Sequence, residues 1–190
     1  AAGDDRAHHR LGDGGGVGRD AVRGDAVVTV NAGAGNHALA LREKLGDETE
    51  IYAVSDNEDL KNIAQAKADA VKADISFGTY LPDEKSNVVI ADASFVKPYE
   101  INEFLADVIE AADKQVVFFL PTKGSFGEIF SFLWETLLET GLMEKGENVE
   151  RLISEIPTIE EIAGEAEKLG LSKIENSTQI EVFEFKNGAE

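Results

Sequence analysis

Twelve residues hold most of the chemistry legible in this chain: Val27-Val28-Thr29-Val30-Asn31-Ala32-Gly33-Ala34-Gly35-Asn36-His37-Ala38. Strand formers run into a turn of small residues, and a helix-like run over residues 39–45 follows at once. A strand, a tight loop and a helix start, in that order, present backbone N–H groups to a ligand. Small side chains let a nucleotide lie against the backbone, and the helix start favours electron-rich groups. The same order also builds an ordinary βα turn, and the segment alone leaves both readings open.

Three further positions fall where strands are expected to end. Asp56 lies 23 positions after Gly33, a spacing at which an acid can accept both hydroxyls of a ribose. It could equally cap the helix beginning near Asn57. Asp74 is expected to follow the third strand, as an acceptor for an adenine amino group or as a solvated loop acid. The run Ala91-Asp92-Ala93-Ser94 follows the fourth strand. Its small residues leave room for cofactor and substrate. Asp92 reads as a polar contact, a base, or the turn residue that starts a helix.

These positions need a scaffold, and the pattern predicts one. Strands are expected at residues 27–30, 51–54, 71–75, 87–91 and 115–120. Helices are expected at residues 36–45, with Gly46 as the stop, and from residues 56–58 to about residue 70. Two more are expected at residues 101–112 and from residue 157 to near residue 170. Alternating strands and helices imply a doubly wound, mostly parallel α/β sheet with helices on both faces. Ligands on such sheets bind at the carboxyl ends of the strands. The aromatic-rich helix at residues 128–138 reads either as core packed on the sheet or as the wall of a substrate pocket. Residues 173–185 have strand character.

The chain has 190 residues and a formal net charge of −19. That length suits one domain, expected at residues 26–190. The charge should repel phosphate backbones, so nucleic acid is not an expected partner. Cysteine is absent, which excludes disulfides and thiolate chemistry. Of the three histidines, His8 and His9 lie in a Gly- and Arg-rich stretch, and no metal site is expected. Residues 1–25 have little to bury and are expected to be a disordered tail. No leader-like or membrane-length apolar run is visible, so a cytoplasmic protein away from membranes is expected. The oligomeric state is not legible.

The motifs together resemble a class I S-adenosylmethionine-dependent methyltransferase over residues 26–185. Val28-Thr29-Val30-Asn31-Ala32-Gly33-Ala34-Gly35 resembles the first motif of that family and Ile51-Tyr52-Ala53-Val54-Ser55-Asp56 the second. Lys72-Ala73-Asp74-Ile75 is similar to the third, and residues 81–91 to the approach to the fourth strand. The resemblance implies that Asn31, Ala32, Gly33, Ala34 and Gly35 wrap the methionine part of S-adenosylmethionine. Asp56, with Asn57 beside it, would hold the ribose. Asp74 and Ile75 would flank the adenine, and Ala91 and Asp92 would border the methyl acceptor. Thr29 stands where the family has an acid, Asn31 where it has its first glycine, and Ser55 where its ribose acid more often sits. The first two changes weaken contacts to the cofactor's ammonium group. With only a sixth strand at residues 173–185, the chain reads as a shortened version of that fold.

The expected activity is therefore methyl transfer to a small molecule. Two alternatives stay open. Gly33-Ala34-Gly35-Asn36-His37-Ala38 also fits the G-x-G-x-x-A fingerprint of an NAD(P)-dependent oxidoreductase. A non-catalytic domain that binds a nucleotide or a partner protein is the other.

Overall fold

A computed structural model describes residues 25–178. Five parallel strands form one sheet in the order β3-β2-β1-β4-β5. They are β1 (Ala26–Val30), β2 (Glu50–Val54), β3 (Ser76–Gly78), β4 (Ser86–Asp92) and β5 (Ala112–Phe119). The helices between them are α1 (Asn36–Leu45), α2 (Glu58–Val71) and α3 (Ile101–Glu110). After β5 come a short strand, β6 (Lys123–Phe126), and three helices: α4 (Gly127–Thr140), α5 (Gly146–Glu155) and α6 (Ile159–Lys168).

β1 lies in the middle of the sheet. Val27 stands beside Ile51 of β2 on one side and Val88 of β4 on the other. Apart from the buried Thr29, its residues are apolar toward both faces, as a strand covered on both sides requires. Val27, Ile51, Ala53, Val88 and Ile90 pack with Ala38 and Leu41 of α1. Val28, Val30, Val54 and Val89 pack on the other face with Val108 of α3.

Local signals set the helix limits. α1 stops at Gly46, whose φ of 75° is open to glycine. Asn57 caps α2 by accepting from the Asp59 and Leu60 N–H groups. Glu58 and Asp59 then sit at the positive end of the helix.

The third strand is not where the pattern places it. Val71 is the last residue of α2, and Lys72 turns the chain at φ 55° while its N–H returns to the Ala68 and Asp69 carbonyls. Pairing with β2 starts only at Ser76, opposite Tyr52. Valine and isoleucine at positions 71 and 75 look like strand residues, but Ile75 is buried with the side chains of α1. Strand β5 also begins early, taking Ala112 from the expected helix.

The aromatic-rich helix does not pack into the sheet's core. No residue of α4 is fully buried, and Ile129, Phe132 and Leu138 are exposed. Its Trp134 instead rests on Gly146 at the start of α5, where a Cβ would come within 2.6 Å of the indole. α5 itself was not expected. Residues 173–178 are not a strand. The rest of the segment expected as the sixth strand, and residues 1–24 of the expected tail, lie outside the described residues.

Candidate functional site

The carboxyl edge of the sheet is a run of turns tied to their neighbours. The Ala32 N–H donates to the Val54 carbonyl at 2.8 Å, linking the turn after β1 to the end of β2. The Ser55 N–H donates to the Gly78 carbonyl at 3.0 Å, linking β2 to β3. On the other side, the Asn31 side-chain amide donates to the Asp92 carbonyl at 2.7 Å. The Ala93 N–H donates to the Phe119 carbonyl at 2.7 Å, closing the edge from β4 to β5. The chain winds outward from β1 through β2 to β3 and then returns to β4. The gap between β1 and β4 is thus the switch point where such sheets take ligands.

The turn Asn31–Gly35 sits at this point, all of it partly accessible except the buried Gly35. Three of its residues take positive φ: Asn31 at 58°, Gly33 at 52° and Gly35 at 79°. The two glycines are needed for different reasons. A Cβ on Gly33 would meet nothing within 4 Å, so this position faces open space. A Cβ on Gly35 would lie 2.6 Å from the Ala64 Cβ, so here glycine lets α2 approach the turn. Gly35 also precedes α1, whose start has no side-chain cap and no acid in its first turn. Its first amides therefore suit an electron-rich group.

Asp56 is exposed at the end of β2, while Asn57 spends its side-chain oxygen on the α2 cap. The cap is Asn57 and not Asp56, which leaves the Asp56 carboxylate for other work. Ser55 is buried beside them. At the carboxyl end of β4, within the strand, Ala91 is fully buried in the core and Asp92 is partly exposed. One Asp92 carboxylate oxygen accepts from the Ser94 N–H at 2.9 Å, the role of a turn residue. Further along the same loop, Lys97 lies 5.5 Å from the Tyr99 ring centre. Hydrogen bonding to Tyr99, and then to Glu100, holds the Lys97 ammonium above its ordinary range.

Asp74 and Ile75 are not part of this edge. They precede β3 instead of following it, so they lie at the amino edge, across the sheet. Ile75 is a core residue, and the Asp74 carbonyl accepts from the Arg42 guanidinium. A cavity of about 460 Å³ opens at that amino edge, with Arg42, Thr49, Asp74, Ser76 and Ser86 among its walls. The carboxyl end of β3 is Gly78, where a Cβ would fall on the Tyr52 hydroxyl.

One contributor was missed in the sequence. Lys67 of α2 donates to the Ala34 carbonyl at 3.1 Å and to the Asn36 side-chain oxygen at 2.8 Å. Its spacing of three from Ala64 puts both on the helix face that meets the turn. Among the described residues no group of three or more His, Asp or Glu side chains is placed to hold a metal ion. No helix among them is long and apolar enough to cross a membrane.

No family model matches the sequence, and no curated protein matches it by sequence. Solved structures do match the backbone. A mycolic acid cyclopropane synthase crystallised with SAH and CTAB is 14% identical, with a TM-score of 0.54 over 80% of this chain and 56% of that one. The fold shared with it is a doubly wound, Rossmann-like α/β fold. An S-adenosylmethionine-dependent methyltransferase from Clostridium acetobutylicum ATCC 824 is 11% identical, with a TM-score of 0.49 over 57% of this chain and 48% of that one. A coclaurine N-methyltransferase bound to N-methylheliamine and SAH is 17% identical, with a TM-score of 0.43 over 52% and 30%. The chain thus spans between 30% and 56% of the length of these three structures. In this fold β1 is central and its turn faces the switch point.

Proposed function

We propose that this chain binds S-adenosylmethionine along the carboxyl edge of its sheet and transfers the methyl group to a small-molecule acceptor. The observation that carries the reading is the turn Asn31–Gly35. It is the turn of the central strand, it opens onto free space at Gly33, and it leads into an uncapped helix start. These features fit the cofactor, because bare backbone and free amides suit its polar amino-acid end.

In this reading Asn31, Ala32, Gly33, Ala34 and Gly35 hold the methionine part, and Asp56 accepts from the ribose hydroxyls. Asn57 fixes the start of α2 next to them. The adenine lies toward the end of β3 near Gly78, in place of Asp74 and Ile75. Ala91 and Asp92 border the acceptor, Ala91 as packing beneath it and Asp92 through its turn. When bound, S-adenosylmethionine supplies an electrophilic methyl group on a sulfonium centre. The protein's part is alignment, which can supply most of the rate enhancement of such a transfer. Asp56 and Asp92 place negative charge on the edge that receives a cationic cofactor. The net charge of −19 favours a small acceptor over a phosphate backbone.

A second reading draws on Ala38. It completes the G-x-G-x-x-A spacing and is fully buried, as the small third residue of a dinucleotide fingerprint would be. Calorimetric titration separates the two. The methyl-transfer reading expects heat with S-adenosylhomocysteine and none with NADH; the reverse pattern replaces it with the dinucleotide reading. Binding of S-adenosylhomocysteine without turnover on a mixed pool of acceptors would leave a non-catalytic binding domain.

A further inference from the structure

Lys67 lies on the third turn of α2, far in sequence from the loop it touches. Its ammonium bridges the Ala34 carbonyl and the Asn36 side-chain oxygen, one on each side of Gly35. Gly35 is the residue on which α2 presses through Ala64. One helix face therefore both packs against the turn and ties it on either side of that packing point. The hydrogen bonds hold Ala34 and Asn36 together while Gly35 takes its left-handed conformation at φ 79°. With the Ala34 carbonyl turned toward α2, the peptide between Ala34 and Gly35 has one orientation. The free amides at the start of α1 follow from that orientation.

We propose that Lys67 is a positioning residue that sets the shape of the ligand-binding turn, acting through the Ala34 carbonyl and Asn36 without touching the ligand. The ligand half of this inference rests on the proposed binding of an adenosine-bearing cofactor; the conformational half does not. A charge-assisted pair of hydrogen bonds outweighs a neutral contact of the same reach, so an ammonium or guanidinium is required here. Loss of the bridge releases the turn locally and leaves the sheet intact.

The test compares the wild-type chain with Lys67→Met and Lys67→Arg. Amide hydrogen exchange is followed at Gly35 and Leu39, whose N–H groups are bonded to the Ala32 and Gly35 carbonyls. The expected result is exchange about tenfold faster at these two amides in Lys67→Met, with β1 and β4 unchanged and Lys67→Arg close to wild type. Titration with S-adenosylhomocysteine is expected to show a Kd raised about tenfold in Lys67→Met and restored in Lys67→Arg. Unchanged exchange at Gly35 and Leu39 in Lys67→Met overturns the inference, as does acceleration spread evenly over the whole sheet. A wild-type protein that does not bind S-adenosylhomocysteine removes the proposed function, and the exchange result alone then decides the role of Lys67.

Discussion

The Asn31 side chain reaches the Asp92 carbonyl at 2.7 Å and so joins two turns that lie 61 residues apart in the chain. It crosses the gap between β1 and β4, where the crossovers diverge. A side chain therefore ties together the two loops that a cofactor and its acceptor would share. Asn31 holds this position at φ 58°, a region that asparagine enters more readily than other side chains do.

Two substitutions separate the bond from the backbone conformation. Asn31→Gly loses the hydrogen bond and keeps easy access to positive φ. Asn31→Ala loses the bond and adds the left-handed penalty. Urea denaturation should place Asn31→Gly about 1 kcal/mol below wild type and Asn31→Ala about 2 kcal/mol below it. Equal stability of the two variants would show that the conformation at this position carries no strain.

The opposite edge of the sheet depends on Arg42, which is 7% exposed. Its guanidinium donates to the Gly46 carbonyl at 2.6 Å and the Thr49 carbonyl at 2.7 Å, and also to the Asp74 carbonyl. These bonds gather the end of α1, the start of β2 and the approach to β3. Arg42→Met leaves three carbonyls without their donor and should cost about 3 kcal/mol in urea denaturation. Arg42→Lys keeps the charge without the planar fork and should recover only part of that loss. Full recovery by lysine would reduce the role of Arg42 to that of a charge.

The sheet was legible because its strands are continuous apolar runs bounded by turn residues. Val27 to Val30 and Val88 to Ala91 sit in strands covered on both faces, and nothing competes with that pattern. The limits of α1 were legible for the same kind of reason, since Gly46 has one local meaning. The third strand was not. Val71 and Ile75 are spaced as strand residues are, and only long-range packing assigns one to a helix end and the other to the core. Asp74 was misplaced with them, because the edge on which a loop acid falls depends on where its strand starts. Ala64 and Lys67 carry no signal in sequence. An alanine and a lysine three apart on a helix are ordinary until Gly35 is seen beneath them. α4 departs from the core reading in another way, because Trp134 meets α5 at Gly146 while Ile129, Phe132 and Leu138 stay exposed.

Acid should loosen the start of α6. The Thr158 N–H donates to the Glu161 carboxylate at 2.8 Å, while the Glu161 N–H donates to the Thr158 hydroxyl at 3.1 Å. The backbone bond from Thr158, aided by its side chain, holds the Glu161 carboxyl below its ordinary value of 4.5. A carboxyl lowered in the folded state contributes stability above its unfolded pKa, and that contribution is lost as pH falls through the lowered folded value. Amide exchange at Glu161 should therefore accelerate as the pH drops below 4.5, beyond the intrinsic pH dependence of exchange. In Glu161→Gln this extra acceleration should be absent. The same acid response in both proteins would remove the capping pair as its source.

Gly33 and Gly35 make the sharpest division between stability and binding. Both take positive φ, so an added Cβ is strained at either position. Only at Gly35 does it also collide with protein, at 2.6 Å from the Ala64 Cβ. Gly35→Ala must push α2 away from the turn and should cost about 3 kcal/mol in urea denaturation. Gly33→Ala meets open space and should cost about 1 kcal/mol. In a titration with S-adenosylhomocysteine normalised to folded protein, Gly33→Ala should lose far more affinity than its small stability cost suggests. The methyl group on residue 33 enters the space assigned to the ligand and should weaken binding by about tenfold or more. Gly33→Ala that binds as well as wild type would mean that the ligand does not lie over this turn, and the placement of Asn31 to Gly35 around its methionine part would fail with it.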